Sequence, residues 1–131
     1  MLDNAVPSDR RRMTDVEVLF AAVTVADLDG AVAWYARLFG RPADIVPNDN
    51  EVMWRLADAA WLYVVRDEKR AGHALVTLCV ADLDLAVAAI AARGIKGGPV
   101  EIIGDAGRKA TFTDAEGNTI SFIEVPATRA D

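Results

Sequence analysis

The sequence predicts an α+β fold made from two copies of one strand–helix–three-strand unit. Three observations predict it. First, the stretch Val25-Ala26-Asp27-Leu28-Asp29-Gly30-Ala31-Val32-Ala33 returns fifty-five residues later as Val80-Ala81-Asp82-Leu83-Asp84-Leu85-Ala86-Val87-Ala88, with eight of nine positions identical. In a chain of 131 residues, a repeat of that length divides the protein into two like units. Second, each copy follows an apolar run of strand-like composition, Val16 to Val25 and Ala74 to Val80. Third, each copy opens a helical pattern. Leu28, Val32, Tyr35 and Phe39 make one apolar stripe, and Leu83, Val87 and Ile90 repeat the spacing.

The first strand alternates over residues 16–26. Leu19, Ala21, Val23 and Val25 form a uniformly apolar face suited to lie under a helix, while Val18, Phe20, Ala22 and Thr24 form a mixed face suited to line something. Asp27 opens the first helix, about 28–39, as its cap, with Asp29 in the first turn at the positive end of the dipole. Asp82 and Asp84 hold the same places in the second copy. Capping accounts for all four aspartates better than catalysis does. Gly40 and Gly94 stand where the helices should stop, and Pro42 blocks further helix.

Three strands are predicted next, at about 43–47, 51–57 and 60–66, separated by the turns Pro47-Asn48-Asp49-Asn50 and Asp58-Ala59-Ala60. The charged run Arg66 to Gly72 reads as the linker between halves. The second unit repeats the order, with a strand at 73–81, a helix at 83–93, and strands at 100–104, 107–113 and 119–125. Asp114-Ala115-Glu116-Gly117-Asn118 is a hairpin turn in which Gly117 and Asn118 are able to take positive φ. The predicted division is a leader over 1–13, modules over 14–70 and 71–126, and a tail over 127–131. The leader carries Arg10-Arg11-Arg12, reads as a solvated tail, and offers Met13 as an alternative start.

Composition narrows the function. The net charge is −6 with no sustained basic stripe, which argues against nucleic acid as the main partner. No apolar run approaches the roughly 20 residues that cross a membrane, and the start lacks the apolar core of a secretory signal. Cys79 is the single cysteine and reads as a small buried hydrophobe, so the chain has no internal disulfide and the cytoplasm is the default compartment.

At this point the chain resembles the vicinal oxygen chelate superfamily, which includes glyoxalase I, extradiol dioxygenases, fosfomycin-resistance enzymes and bleomycin-resistance proteins. The resemblance rests on Thr24 to Asp29 leading into Trp34-Tyr35-Ala36-Arg37-Leu38-Phe39-Gly40, on Val80 to Asp84 leading to Ala92-Arg93-Gly94-Ile95, and on Phe112-Thr113-Asp114-Ala115-Glu116-Gly117-Asn118, with Ala115 where proline is usual. It covers about residues 16–125. It implies tandem βαβββ modules whose mixed sheet curls into an open cup, with the helices on the convex side and the ligand on the concave one. It also implies a homodimer, either swapped or side by side.

In metal-dependent members of the family, four cup-floor positions carry His, Glu or Gln. One is seven residues before each capping aspartate, which gives Phe20 and Leu75 here. One is on the last strand of each module, which gives Ser121 and, by aligning Asp58-Ala59 with Asp114-Ala115, Tyr63. Phe and Leu offer no lone pair, and neutral hydroxyls are weak donors, so these four make a poor divalent-metal site. No metal and no cofactor is therefore expected. His73, the only histidine, lies near the start of the strand and reads as a rim or turn residue. Glu124 and Glu17 have the wrong parity to face the cup.

The inward positions are aromatic, apolar or hydroxylated: Phe20, Thr24, Tyr63, Leu75, Thr77 and Ser121, with Trp61 sharing the parity of Tyr63 and Trp54 on a neighbouring strand with its face open. His73 joins them at the rim. Such a lining suits a flat organic molecule, and the same aromatics would equally serve as core. Trp34 and Tyr35 belong to the helix, Tyr35 on its buried stripe. Arg55, Arg108 and Lys109 are placed to meet an anionic ligand at the rim. The glycine-rich Gly104 to Lys109 loop lacks P-loop spacing. Cys79 and His73 lie roughly 20 Å apart along one strand and cannot pair within it.

The expected function is metal-free binding of a small aromatic compound, of the bleomycin-resistance type, without covalent chemistry. The alternatives are a glyoxalase-like lyase, isomerase or dioxygenase-type metalloenzyme, and a domain serving only association with a partner.

Overall fold

The computed structural model describes residues 15–126. The predicted leader, with its arginines and alternative start, and the predicted tail lie outside the described residues. The order is β1 (Leu19–Val25), α1 (Leu28–Phe39), β2 (Ile45–Asn48), β3 (Glu51–Ala57), β4 (Ala60–Arg66), β5 (Leu75–Cys79), α2 (Leu83–Ala92), β6 (Glu101–Ile102), a 3-10 turn (Gly104–Ala106), β7 (Arg108–Thr113) and β8 (Thr119–Glu124). This is strand, helix and three strands, twice over.

Each module forms one four-stranded mixed sheet, ordered β1-β4-β3-β2 and β5-β8-β7-β6. The first strand of each runs parallel to the last, and the remaining pairs are antiparallel. The parallel pairing is possible because a helix lies between the paired strands in sequence and supplies the crossover. The α+β class and tandem modules expected from the repeat are therefore present, and the mixed sheet comes as two halves.

The helix signals act as read. Asp27 accepts a bond from Gly30 N at 3.1 Å, and Asp82 one from Leu85 N at 3.0 Å. Gly40 ends α1 with φ 79°, and Gly94 follows α2 with φ 92°. The carbonyls left free at the end of α1 are met from the other module. Arg93 donates through Nε to Arg37 O and through Nη2 to Leu38 O, the latter at 3.0 Å, which sets a cation on the negative helix end.

A single core joins the modules. Val23, Val25, Tyr35, Leu38, Trp54, Leu62 and Val64 from the first unit pack with Leu83, Ile90, Phe112, Ile120 and Phe122 from the second. Of the predicted helix-covered face of β1, Val23 and Val25 are buried, while Leu19 at the strand start stays exposed. The second face of each sheet turns away from the shared core. Phe20 is 51% exposed and Leu75 is 76% exposed.

Polar groups fasten the modules where apolar packing ends. Asn118 is fully buried. Its Nδ2 donates to Thr24 O (3.0 Å) and Asp114 Oδ2 (2.9 Å), and its Oδ1 accepts from Ala74 N (2.8 Å). Asp114, also buried, accepts from Tyr35 Oη at 2.9 Å and from the backbone of Glu116 and Asn118, each at 2.9 Å. Burial, then the Asp114 charge, pushes the Tyr35 hydroxyl well above the ordinary tyrosine range. Glu116 reaches back to the entry of α1, accepting from Ala26 N (2.7 Å) and Asp27 N (2.9 Å).

Three local expectations are corrected. The ladder of β5 begins at Leu75 rather than residue 73, because the N–H of Ala74 goes to the Asn118 side chain. Strand β6 has two residues rather than five, because the chain leaves the sheet into a loop closed by Ile103 N donating to Gly107 O at 2.7 Å. Gly117 takes φ 104°, but no residue other than glycine has positive φ among the described residues, so Asn118 serves through its side chain instead.

Candidate functional site

The open faces follow from strand register. On the first sheet Trp61 pairs with Phe20 on one side and Arg55 on the other, and the next row is Ala22, Tyr63 and Met53. The Phe20 and Trp61 rings stack with centroids 6.2 Å apart and planes at 24°. On the second sheet the matching rows are Leu75, Thr119 and Thr113, then Thr77, Ser121 and Thr111. Tyr63 and Ser121 occupy the same register position in their modules, as the alignment of the two turns implied.

Of the residues predicted to line the site, Phe20, Trp61 and Tyr63 come together on the first open face, and Leu75, Thr77 and Ser121 are on the same side of the second sheet, where Ser121 at the floor is only 3% exposed. Both groups are on the sheet sides opposite those that supply the common core. Thr24 shares the first face, but its hydroxyl donates to Arg70 O at 2.7 Å and belongs to the module linker. His73 sits exposed ahead of β5.

Trp54 is a correction. It is 0% exposed and lies under α1, with ring centroids 6.4 Å from Tyr35 and 5.6 Å from Phe39. Its Nε1 donates to Arg41 O at 3.0 Å, which satisfies the one polar atom of the ring. The cause is parity: Trp54 pairs with Leu62, one residue out of step with Trp61 and Tyr63. Cys79 is a second correction, being exposed on the open face of the second sheet rather than buried. Sequence reasoning passed over Met53, Thr111, Thr113 and Thr119. Carrying the count from the first and last strands to their antiparallel neighbours finds the first three, and Thr119 lies two residues before Ser121.

The charged residues expected at the rim divide. Arg108 is on the helix side, donating to Asp84 at 3.0 Å and Glu124 at 3.1 Å. Its hydrogen bond to Asp84 leads in raising its pKa. Glu124 also accepts from Leu83 N at 2.7 Å, which confirms that it faces α2 and not the open side. Arg55 is on the first open face, where Nη2 donates to Asp58 O at 2.8 Å. Lys109 is on the second, opposite Glu101.

The four family ligand positions do not suit a divalent cation. Phe20 and Leu75 have no donor atom, and the Ser121 hydroxyl lies 3.1 Å from that of Thr111. No group of three or more His, Cys, Asp or Glu side chains gathers anywhere among the described residues. No helix among them is long and apolar enough to cross a membrane.

Comparison with known proteins agrees with the fold. A solved glyoxalase/bleomycin resistance protein from Catenulispora acidiphila DSM 44928 is 38% identical, covers 83% of this chain and 98% of its own, and superposes with a TM-score of 0.79. The bleomycin-binding protein of Streptomyces verticillus, solved with copper(II)-bleomycin, is 21% identical, with coverage of 87% and 100% and a TM-score of 0.71. Lactoylglutathione lyase of Agrobacterium tumefaciens is 16% identical, with coverage of 86% and 96% and a TM-score of 0.71. The last two likenesses concern the fold alone. No curated protein matches the chain. The Glyoxalase/Bleomycin resistance protein/Dioxygenase superfamily model matches residues 17–122, and the chain belongs to that superfamily.

Proposed function

We propose that the protein holds a small aromatic compound non-covalently, in the manner of a bleomycin-resistance protein, without a metal. The observation that carries this reading is the placement of the Phe20–Trp61 stack, with Tyr63 in the next row, on an open sheet face rather than in the core. Aromatic surface left in water is costly unless something covers it, and a planar ligand does so with favourable ring geometry. The bleomycin-binding fold neighbour supports the same reading.

A second copy of the chain completes the concavity. Strands β1 and β5 are both at sheet edges, and Val18, Leu19, Phe20 and Leu75 are exposed beside them. Unpaired apolar edges are association surfaces. A homodimer that opposes the first sheet of one copy to the second sheet of the other would turn two open faces into one walled site. A reducing compartment such as the cytoplasm suits a chain whose one cysteine is exposed and free.

Titration of the protein with planar aromatic compounds, followed by tryptophan quenching and thermal shift, tests the reading. Quenching that Trp61→Phe reduces is the expected result. Absence of quenching and shift across a broad aromatic panel would overturn it. Sedimentation equilibrium should give twice the chain mass, and a monomer at micromolar concentration would remove the dimeric cup.

A further inference from the structure

The duplication provides an internal comparison, because each position on one open face has a register equivalent on the other. The middle row of the first sheet is Ala22, Tyr63 and Met53, and its equivalent is Thr77, Ser121 and Thr111. One row along, Trp61 is matched by Thr119. At all four positions the first module has an apolar or aromatic side chain, with Tyr63 alone bearing a hydroxyl, and the second has Ser or Thr. The helix-side equivalents show no such divergence. Val23 and Leu78, Leu62 and Ile120, and Val64 and Phe122 are apolar in both modules. The difference is therefore confined to the faces that do not build the core.

We infer that the ligand is a flat aromatic ring system bearing a neutral, polyhydroxyl substituent, the ring covered by the first module's face and the hydroxyls read by Thr77 and Thr111, with the buried Ser121 between them holding Thr111. This rests on the proposed binding role and adds the chemical class. Neighbouring strands place these side chains about 4.8 Å apart in a line. Each hydroxyl both donates and accepts, as an alcohol does. Ser121 is 3% exposed and its hydroxyl lies 3.1 Å from that of Thr111, so it fixes Thr111 before any ligand arrives rather than meeting the ligand itself. The row contains no charge, Lys109 at the sheet's far side has Glu101 as its register partner, and Arg55 on the first face is engaged by Asp58 O at 2.8 Å. A carboxylate or phosphate would call for the unopposed cations that such groups prefer. Alcohol hydroxyls require none.

Isothermal titration of the full chain with four probes tests this: 2-naphthyl β-D-glucoside, 2-naphthol, 2-naphthyl phosphate and octyl β-D-glucoside. The naphthyl glucoside should bind about tenfold more tightly than naphthol, the gain of roughly two neutral hydrogen bonds, and more tightly than either the phosphate or the octyl compound. The triple variant Thr77→Val, Ser121→Ala, Thr111→Val should erase the glucoside's advantage and leave naphthol affinity within about twofold. Tighter binding of the phosphate, or a glucoside preference that survives the triple variant, would overturn the inference while leaving aromatic binding in place. Failure of every naphthalene probe to bind would overturn the binding role itself and this inference with it.

Discussion

Replacing Asn118 with alanine probes the polar joint between the modules. The side chain is 0% exposed and makes three hydrogen bonds. Alanine leaves the Ala74 N–H without its partner, at about 1–3 kcal/mol. It also removes one of the four donors on Asp114, and a bond to a charged group contributes about 1.5–3 kcal/mol. Thr24 O keeps a second donor, Gly72 N at 3.2 Å, so its loss is small. The sum is a destabilisation of about 3–5 kcal/mol, a large part of the roughly 5–15 kcal/mol typical of a domain. It corresponds to a fall in Tm of about 10–20 °C. Urea unfolding followed by far-ultraviolet circular dichroism measures it. Because Tyr35 donates to the same carboxylate, Tyr35→Phe and Asn118→Ala should couple by more than about 0.5 kcal/mol in a double-mutant cycle. A single-variant loss under about 1 kcal/mol, or additive effects, would refute the view that Asp114 binds the two modules through these residues.

Other outcomes follow from the same structure. The unfolded chain releases the tyrosine proton near its ordinary value of 10.0, whereas the buried Tyr35 keeps it. Tyr35 therefore contributes full stability below that pH and loses about 1.4 kcal/mol per pH unit above it. Urea midpoints across the alkaline range should fall less steeply for Tyr35→Phe, and equal slopes would contradict this. Gly40→Ala should cost about 1–2 kcal/mol, read by thermal melting, since φ is +79° and the added Cβ would lie 3.0 Å from the Arg93 guanidinium carbon. Trp54→Ala should cost about 3–5 kcal/mol in urea unfolding. Trp61→Ala should leave the fold standing and weaken aromatic ligands about three- to tenfold by titration.

The strand and helix order was legible because the repeat shows each element twice. Helix boundaries were legible because Asp27, Asp82 and Gly40 carry local chemistry that acts over a few residues. The side on which Trp54 falls was not legible, because it depends on register across β3 and β4, which sequence spacing within one strand does not determine. The shortness of β6 depends on the 3-10 turn after it. The site was legible as a set of strand positions, since the alternation in β1 and β8 separates Phe20 from Val23 and Ser121 from Glu124. That both modules' helix-side faces feed a single core was hidden, because it arises from how α1 and α2 pack. The roles of Asn118 and Glu116 were equally hidden, as their partners lie on distant segments.

Glu116 meets the backbone of Ala26 and Asp27 from 90 and 89 positions further along the chain, and Asn118 meets Thr24 from 94. During synthesis, the opening half leaves the ribosome well before the residues that fasten its helix have been made. The half-made product exposes apolar surface that the second module covers, and contacts this distant in sequence form slowly. A gene cut at the linker should yield two fragments that recover structure only when expressed together, so the duplicated ancestor survives here as a single cooperative body.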